Sequence, residues 1–576
     1  MIEKSKKSFI PAFKPEYVVM VILAVVIFFI NFGMIGDCYS PFAFNDEMGY
    51  WMHAAEIAGL DWTGVSDTVW WYSYGYSLLL VPLIKIFHDT VILYRAALVL
   101  NLLMDVGCYF MFIYIIRRLF PKIELIAASA IAAAGILYTS YQMNAAIAWS
   151  ETALLTAATA VILTAVKVLS KPTYLNIGVF GILNVYMFTV HNRTIGIVAS
   201  AVLIMTLAVV CKKVSYKQFG VFAAALVIGF IADRIIKAQL VKALWSNGPE
   251  GNDAGSVAGN LKEALSSGAG LRRLIGVMAG NLFAISVGTL CLGLFVLIIM
   301  VRRGTVGFYN ARKAIKNGKK ISEVTDNKFL VFMFIFCAFV STYLISSIFL
   351  LDFDRVDHIV YTRYCDIFAG ILIMTGICFM FEAEKSDIMA AMLIPFIMRL
   401  CIGKVNYMMT LLENPVFNRI CAPSISQLHA NNGINFNAYL TYSASWFFAL
   451  LLVASLFKWK KLGIFVCAAI CIGLFCKNSP EAKEVIWVAQ NEYLGDRELC
   501  QRVSELPEKQ IYVMSDEGTF ISFLQYEMKD IRVELVNSPE AVIGEGYLFV
   551  SCSSNEELAD FEKIDSSDRH SVYLIK

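Results

Sequence analysis

Residues 17–51 read YVVMVILAVVIFFINFGMIGDCYSPFAFNDEMGYW. The stretch opens with an apolar run near 17–36, about the length that crosses the hydrocarbon core of a bilayer. Shortly after it, two carboxylates, Asp46 and Glu47, stand side by side among Phe44, Tyr50 and Trp51. A run of this kind predicts a membrane span. Adjacent acids close to its end call for a chemical reason.

The run recurs along the chain. Of 576 residues, 58% are hydrophobic and 16% charged, with a mean hydropathy of +0.65; soluble domains run to roughly 45–50% apolar and about 25% charged. We read about thirteen spans, near 17–36, 89–116, 123–141, 151–168, 173–190, 194–211, 218–237, 277–301, 329–350, 366–382, 387–403, 440–457 and 462–477. This predicts a polytopic α-helical membrane protein. The start, MIEKSKKSFIPAFKPEY, shows no small-residue cleavage site after its apolar run and is expected to stay cytoplasmic.

Lysine and arginine in short loops set orientation. Lys4, Lys6 and Lys7; Arg117, Arg118 and Lys122; Lys167 and Lys171; Lys212, Lys213 and Lys217; and Lys458, Lys460 and Lys461 fall in alternate gaps. So does 302–328, with eight basic and two acidic residues. These gaps are expected in the cytoplasm of a multi-pass plasma-membrane protein. Loops 37–88, 142–150, 191–193, 238–276, 351–365 and 404–439 and the tail after 477 are expected outside.

The first outer loop, 37–88, is too apolar for an ordinary connection. Phe44, Met48, Trp51, Met52 and Ala55 recur at helical spacing, which predicts an amphipathic helix in the interface. WWYSYGYSLLLVPLIKIF, 70–87, predicts a second partly buried segment, whose aromatics suit the headgroup level even as a plain belt. The membrane part, 1–479, is followed by an acidic tail. Residues 480–576 carry 20 acidic and 9 basic side chains, a net of −11 against +13 for the remainder. KQIYVMS, EGYLFVS, IRVELV and HSVYLI read as strands and EGTFISFLQYEM as a helix between them, a small α/β domain. It has no phosphate-binding glycine loop, zinc-ligand spacing or triad signature. Most of the fourteen cysteines lie in apolar runs and act as small hydrophobes; Cys500 and Cys552 could meet in the tail.

Ionisable groups at membrane level are expensive and usually functional. Besides Asp46 and Glu47, the outer ends of spans collect Glu151 (AAIAWSETALL), His191 and Arg193 (TVHNRTIG), and Asp357, His358, Arg363 and Asp366 (RVDHIVYTRYCDIF). Each has a plainer reading. Ser150 and Glu151 could cap a helix. HNR could be a tight turn in headgroup water. Arg363 between Tyr361 and Tyr364 could be an interfacial anchor, and Asp46 and Glu47 the first turn of a helix after Asn45. Two acidic patches and two arginine segments on one face are a rarer coincidence than any one of these. The chemistry that wants such a set is transfer from a lipid-linked phosphate: a carboxylate as general base on an acceptor hydroxyl, and arginines to bind the phosphate and stabilise it as it leaves.

At these residues the sequence resembles the GT-C fold glycosyltransferases, and within them the protein O-mannosyltransferase and lipid A aminoarabinose transferase-like group. NDEMGYW matches the acidic motif of their first outer loop, YSYGYSLLLVP the Pro-Gly-Tyr-Pro-like stretch that runs into Leu-rich sequence after it, Glu151 a second acidic position, HNR a basic one, and YTRY a Tyr-Gly-Arg-Tyr-like motif. SYGYS lacks the flanking prolines, and Thr362 replaces the usual glycine. The resemblance implies a GT-C-like fold with a C-terminal extracytoplasmic domain and a polyprenyl-phosphate-linked sugar as donor. It implies inverting transfer to a cell-envelope glycan, lipid or protein. Asp46 would be the base, with Glu47 as the alternative, since spacing does not separate adjacent carboxylates. Arg193, Arg363 and His191 would bind the donor phosphate. Glu151 would position the acceptor or a metal, and Tyr50, Tyr361, Tyr364 and His358 would support the site. A divalent cation serves some members, although the six histidines form no metal-ligand pair at helical spacing. No nucleic-acid partner is expected. Three other readings are a transporter or flippase of lipid-linked sugars, a non-catalytic scaffold or sensor, and a ligase moving a whole oligosaccharide. Loops 238–276 and 404–439 are the candidates for acceptor binding; WSNGPEGNDAGSVAGN, 245–260, is expected to be mobile.

Overall fold

A computed structural model of the chain describes residues 14–42, 44–245, 248, 254–413, 415–457, 461–507, 509–551, 558 and 560–576. Lys4, Lys6, Lys7, Lys458, Lys460, Cys552 and most of 245–253 in the expected mobile loop lie outside the described residues. Among those described, eleven helices are long and apolar enough to cross a bilayer. The pair Leu125–Ile136 and Thr139–Ala145, bent by 65°, makes a twelfth if it counts as one span. The chain is a polytopic α-helical membrane protein.

The helices depart from the expected spans in three places. The run at 277–301 is two helices, Gly268–Gly288 and Leu292–Lys316. Leu290 and Cys291 between them are left-handed, with φ of 52° and 60°. The Cys291 N–H reaches back to the Ser286 carbonyl at 2.6 Å and the Leu290 N–H to that of Val287 at 3.1 Å, the paired bonds that end a helix. Second, the expected span 366–382 is a 3-10 turn, Asp366–Phe368, leading into the 14-residue helix Ala369–Glu382, which rises only about 21 Å. Third, the expected outer loop 238–276 is largely helical: Tyr216–Leu244 extends into it and Ala254–Ser266 fills its middle.

The tail forms a five-stranded sheet of β1 (Gln510–Met514), β2 (Val533–Leu535), β3 (Gly546–Ser551), β4 (Glu562–Ser566) and β5 (His570–Ile575), in the order β2-β1-β3-β5-β4. β1 runs parallel to β2 and β3; β5 is antiparallel to β3 and β4. A parallel pair needs a crossover, and the helix Gly518–Glu527 supplies it between β1 and β2. Cys500 is a buried free thiol.

The first-loop helix, Phe44–Ala58, forms as its periodicity predicts. What covers its apolar face differs from the expectation. Met48, Trp51, Met52 and Ala55 are all buried, and part of their cover is protein: the ring of Trp51 lies 5.2 Å from that of Tyr526 on the crossover helix. Close by, Trp62 Nε1 donates to the Lys529 carbonyl at 2.9 Å and the Tyr526 hydroxyl to the Thr90 carbonyl at 3.0 Å. Gln490 accepts the Tyr39 and Ser40 N–H groups at 2.9 and 3.2 Å and donates to the Ser40 carbonyl at 2.6 Å. The C-terminal sheet and the first loop are therefore one packed unit.

Candidate active site

Asp46 and Glu47 lie in the first turn of the first-loop helix. Neighbours on a helix project about 100° apart, so the two acids meet different surroundings. Glu47 is fully buried. It accepts the Phe42 N–H at 2.8 Å, the Tyr94 hydroxyl at 2.7 Å and the Ala148 N–H at 2.8 Å. Asp46 keeps 29% of its side chain exposed. Its Oδ1 accepts the Tyr72 hydroxyl at 2.6 Å, and its Oδ2 is paired with Arg363 Nη1. Gly49 makes room for this: a Cβ there would collide with the ring of Tyr72. Burial raises the Asp46 carboxyl, but Arg363 and the Tyr72 hydroxyl outweigh it and hold the group below the usual carboxylate range.

Arg363 reaches a second carboxylate. Its Nε donates to Glu151 Oε1 at 2.7 Å, and the other oxygen of Glu151 is paired with Arg193 Nη2. Both guanidinium groups lie over rings, Arg363 at 3.9 Å from the centroid of Trp149 and Arg193 at 4.1 Å from that of Tyr364, where the ring faces attract a cation. Glu151, Arg193 and Arg363 are 2%, 6% and 7% exposed. Arg193 Nε and Nη1 are buried with no hydrogen-bond partner among the described residues. Those two nitrogens are charge-bearing donors left free to bond a further acceptor.

The remaining expected residues fall around this core. The Ser150 hydroxyl caps nothing; Trp149 is the N-cap residue of the helix Ser150–Ser170, and Ser150 accepts the Tyr50 hydroxyl at 2.6 Å. His191 ends the helix Tyr174–Val190 and leads into the 3-10 turn Asn192–Thr194. Its Nδ1 accepts the Arg193 N–H at 3.4 Å, and its ring stands 6.2 Å from Tyr364. SYGYS is pinned to the end of that helix: the Gly75 N–H donates to the Thr189 carbonyl at 2.6 Å, and no Cβ fits at Gly75 against the Thr189 and Val190 backbone. Tyr361 and Tyr364 pack edge to face at 4.9 Å. His358 stands apart from the core, bonded to Asp354 at 2.9 Å and Arg355 at 2.8 Å. Asp357 pairs with Arg355 at 3.0 Å and accepts the Asn418 N–H at 2.8 Å. Asp366 accepts the Ser140 and Tyr138 hydroxyls at 2.6 and 3.2 Å. It borders a cavity of about 10 Å³ with Glu151, Arg363, Tyr141, Asn144 and Thr152, room for about one water.

Three partners of the core escaped the sequence reading: Tyr72, Trp149 and Tyr94. Tyr72 and Trp149 sit inside motifs already singled out, but only as aromatics. Nothing in the sequence ties Tyr94 to an acid 47 positions away. For a divalent cation the fit is poor. Both oxygens of Glu151 are engaged by arginine, and no cluster of three or more His, Cys, Asp or Glu side chains among the described residues could hold a metal. Next to the site, the helices Asn192–Val210 and Tyr216–Leu244 border an apolar groove of about 740 Å³, lined by Ile195, Val198, Val202, Leu226, Phe230 and Arg234 among others.

No protein-family model matches the sequence, and no curated protein does. Solved structures do match the fold, two structures of one protein among them. The crystal structure of ArnT from Cupriavidus metallidurans bound to undecaprenyl phosphate is 12% identical, with a TM-score of 0.50 over 98% of both chains. The apo-state structure of the same protein is 11% identical, with a TM-score of 0.50 over 97% of both chains. At such identity the likeness is one of fold, and from end to end this chain has the GT-C-like architecture of ArnT.

Proposed function

We propose that the chain is a glycosyltransferase that moves a sugar from a polyprenyl-phosphate-linked donor to an acceptor on the outer face of the plasma membrane. The observation that carries this reading is Arg193, buried with unused donors, in the same ion-pair network as the partly exposed carboxylate Asp46. The fold supports the donor class, since the ArnT of matching fold was crystallised with undecaprenyl phosphate.

In this reading the donor phosphate takes the free N–H groups of Arg193 and is shared with Arg363. The acceptor hydroxyl bonds to Asp46 and gives up its proton there as its oxygen bonds to the anomeric carbon. The bond from that carbon to the phosphate oxygen breaks with its electron pair, and the arginines stabilise the charge that appears on the phosphate. Attack opposite the leaving group inverts the anomeric centre. Glu47 is a positioning residue, fastening the helix to Phe42, Tyr94 and Ala148. Glu151 holds both arginines in place, and the isoprenoid chain lies along the groove that begins at Ile195. No step is routed through a metal. Residues 1–479 form the catalytic membrane part and 480–576 the outer domain, with the amino terminus cytoplasmic, as the loop charges indicate. The acceptor is an envelope glycan, lipid or protein.

The runner-up is a transporter or flippase of lipid-linked sugars. Transporters keep ionisable groups near the midplane on interrupted helices. Here Glu151 is the second residue of its helix, and His191 follows the last residue of its own, which favours surface chemistry. The test is purified protein in lipid given radiolabelled polyprenyl-phosphate sugars and an envelope extract. Turnover by the wild type that Asp46→Asn loses while still binding donor supports the transferase. Lipid-linked sugar crossing reconstituted vesicles with no turnover supports the transporter.

A further inference from the structure

Both oxygens of the base are engaged by neighbouring side chains. Asp46 Oδ2 is paired with Arg363 Nη1, and Oδ1 accepts the Tyr72 hydroxyl at 2.6 Å. A carboxylate that is ion-paired on one oxygen and hydrogen-bonded on the other is a poor proton acceptor, because a neighbouring positive charge favours its ionised form. Asp46 is nonetheless the most exposed of the four charged groups at the core, so solvent or substrate reaches it. Among the described residues, Arg363 is the one guanidinium that touches both carboxylates: its Nε is fixed on Glu151, and Nη1 goes to Asp46. Arg193, fixed on the other oxygen of the same Glu151, has two nitrogen positions unused. Glu151 is thus a hinge post with an arginine on each side. Both guanidinium groups converge on that one carboxylate, so an anion that took the free donors of Arg193 would enter the ion-pair network to which Arg363 belongs.

We propose that Arg363 is a lock on the base: the donor's phosphate draws Arg363 Nη1 away from Asp46, and the carboxylate becomes able to accept a proton only once the donor is bound. This rests on the transferase reading and adds an order to it, donor before acceptor activation. The exchange moves no covalent bond. One charge-assisted hydrogen bond, Arg363 to carboxylate, is replaced by another, Arg363 to a phosphodiester oxygen, and the freed carboxylate keeps its Tyr72 bond.

The test uses the full wild-type chain in nanodiscs and undecaprenyl phosphate as the probe, with undecaprenol as the phosphate-free control. Carbodiimide modifies a carboxyl only in its protonated form, and peptide mass mapping reads Asp46 directly. With saturating undecaprenyl phosphate, and at a fixed pH above the usual carboxylate range, the labelling rate of Asp46 rises about tenfold, the change that one pKa unit produces. Undecaprenol leaves it unchanged. Saturable binding of undecaprenyl phosphate with unchanged or reduced labelling overturns the lock and leaves the transferase reading standing. A rise with undecaprenol as large as with the phosphate also overturns it. No saturable binding of undecaprenyl phosphate overturns both.

Discussion

Arg363 and Glu151, 212 positions apart in the chain, meet at 2.7 Å between Nε and Oε1 with both side chains almost wholly buried. Removing one member of a buried pair leaves an uncompensated charge, at a cost of about 3–5 kcal/mol. Arg363→Met is therefore expected to lower the melting temperature in detergent. Glu151→Gln on its own does the same, because it strands Arg193 as well. The double variant recovers part of the loss, and a double-mutant cycle over the four proteins reads the coupling. Arg363→Lys keeps a charge but cannot span two carboxylates, so it is expected to lie between the wild type and Arg363→Met.

The two adjacent acids should separate cleanly. Asp46→Asn keeps the fold, because the side chain is partly exposed, and lowers transfer by about 10²–10⁴-fold, the usual contribution of a general base. Glu47→Gln brings an NH2 group against donors that the carboxylate now accepts from three sides. A mismatch of that kind costs about 1–3 kcal/mol, so the loss appears first in thermal unfolding. A Glu47→Gln protein as stable as wild type but inactive would make Glu47 the base.

Much of this architecture is legible in the sequence, because a bilayer demands long apolar runs and those runs are visible. The break at Leu290 and Cys291 is not, since both left-handed residues are apolar and neither is glycine, and the glycines on either side, Gly288 and Gly293, are ordinary within an apolar run that reads through. Edge strand β4 hides for the opposite reason: Glu562–Ser566 is charged and half-exposed, without the alternation that marks a strand. The site's residue types stood out as charges at membrane level. Their pairing did not, because Asp46 and Arg363 are 317 positions apart and spacing carries no information about such a contact. Which of Asp46 and Glu47 faces the arginines was likewise decided by tertiary neighbours.

Glu527 makes the seam between the C-terminal domain and the membrane part sensitive to pH. Burial pushes its carboxyl from the ordinary 4.5 up to about 7, against the opposing pull of the Thr90 hydroxyl at 2.9 Å and of Arg497, with Asp89 adding a little. A raised carboxyl means that the folded state holds a proton which the unfolded state has released. Stability therefore falls as pH rises from 4.5 to about 7 and levels off above. The loss over that window is of the order of 3 kcal/mol. Glu527→Gln should flatten the slope in melting curves taken between these limits, and a slope that survives the substitution would place its origin elsewhere.

The groove between the helices Asn192–Val210 and Tyr216–Leu244 makes a prediction about donor length. Ala199 lines it, and Ala199→Phe fills part of its volume. The KM for long-chain polyprenyl-phosphate sugars should rise several-fold, while short-chain analogues that never reach the groove are turned over as before. Equal effects on long and short donors would move the chain to another surface.

The contact between Trp51 and Tyr526 has a consequence for the chain as a whole. The helix that carries Asp46 is roofed by the crossover helix of the C-terminal domain, so the acidic domain is masonry in the wall behind Asp46. Cut away residues 510–576, and Trp51 and Tyr94 lose the ring that packs against both, while the carboxylate a turn away loses its foundation. A chain of this fold without such a roof would need a smaller or more polar side chain at 51. The size of the residues beneath is a record of the weight they were built to bear.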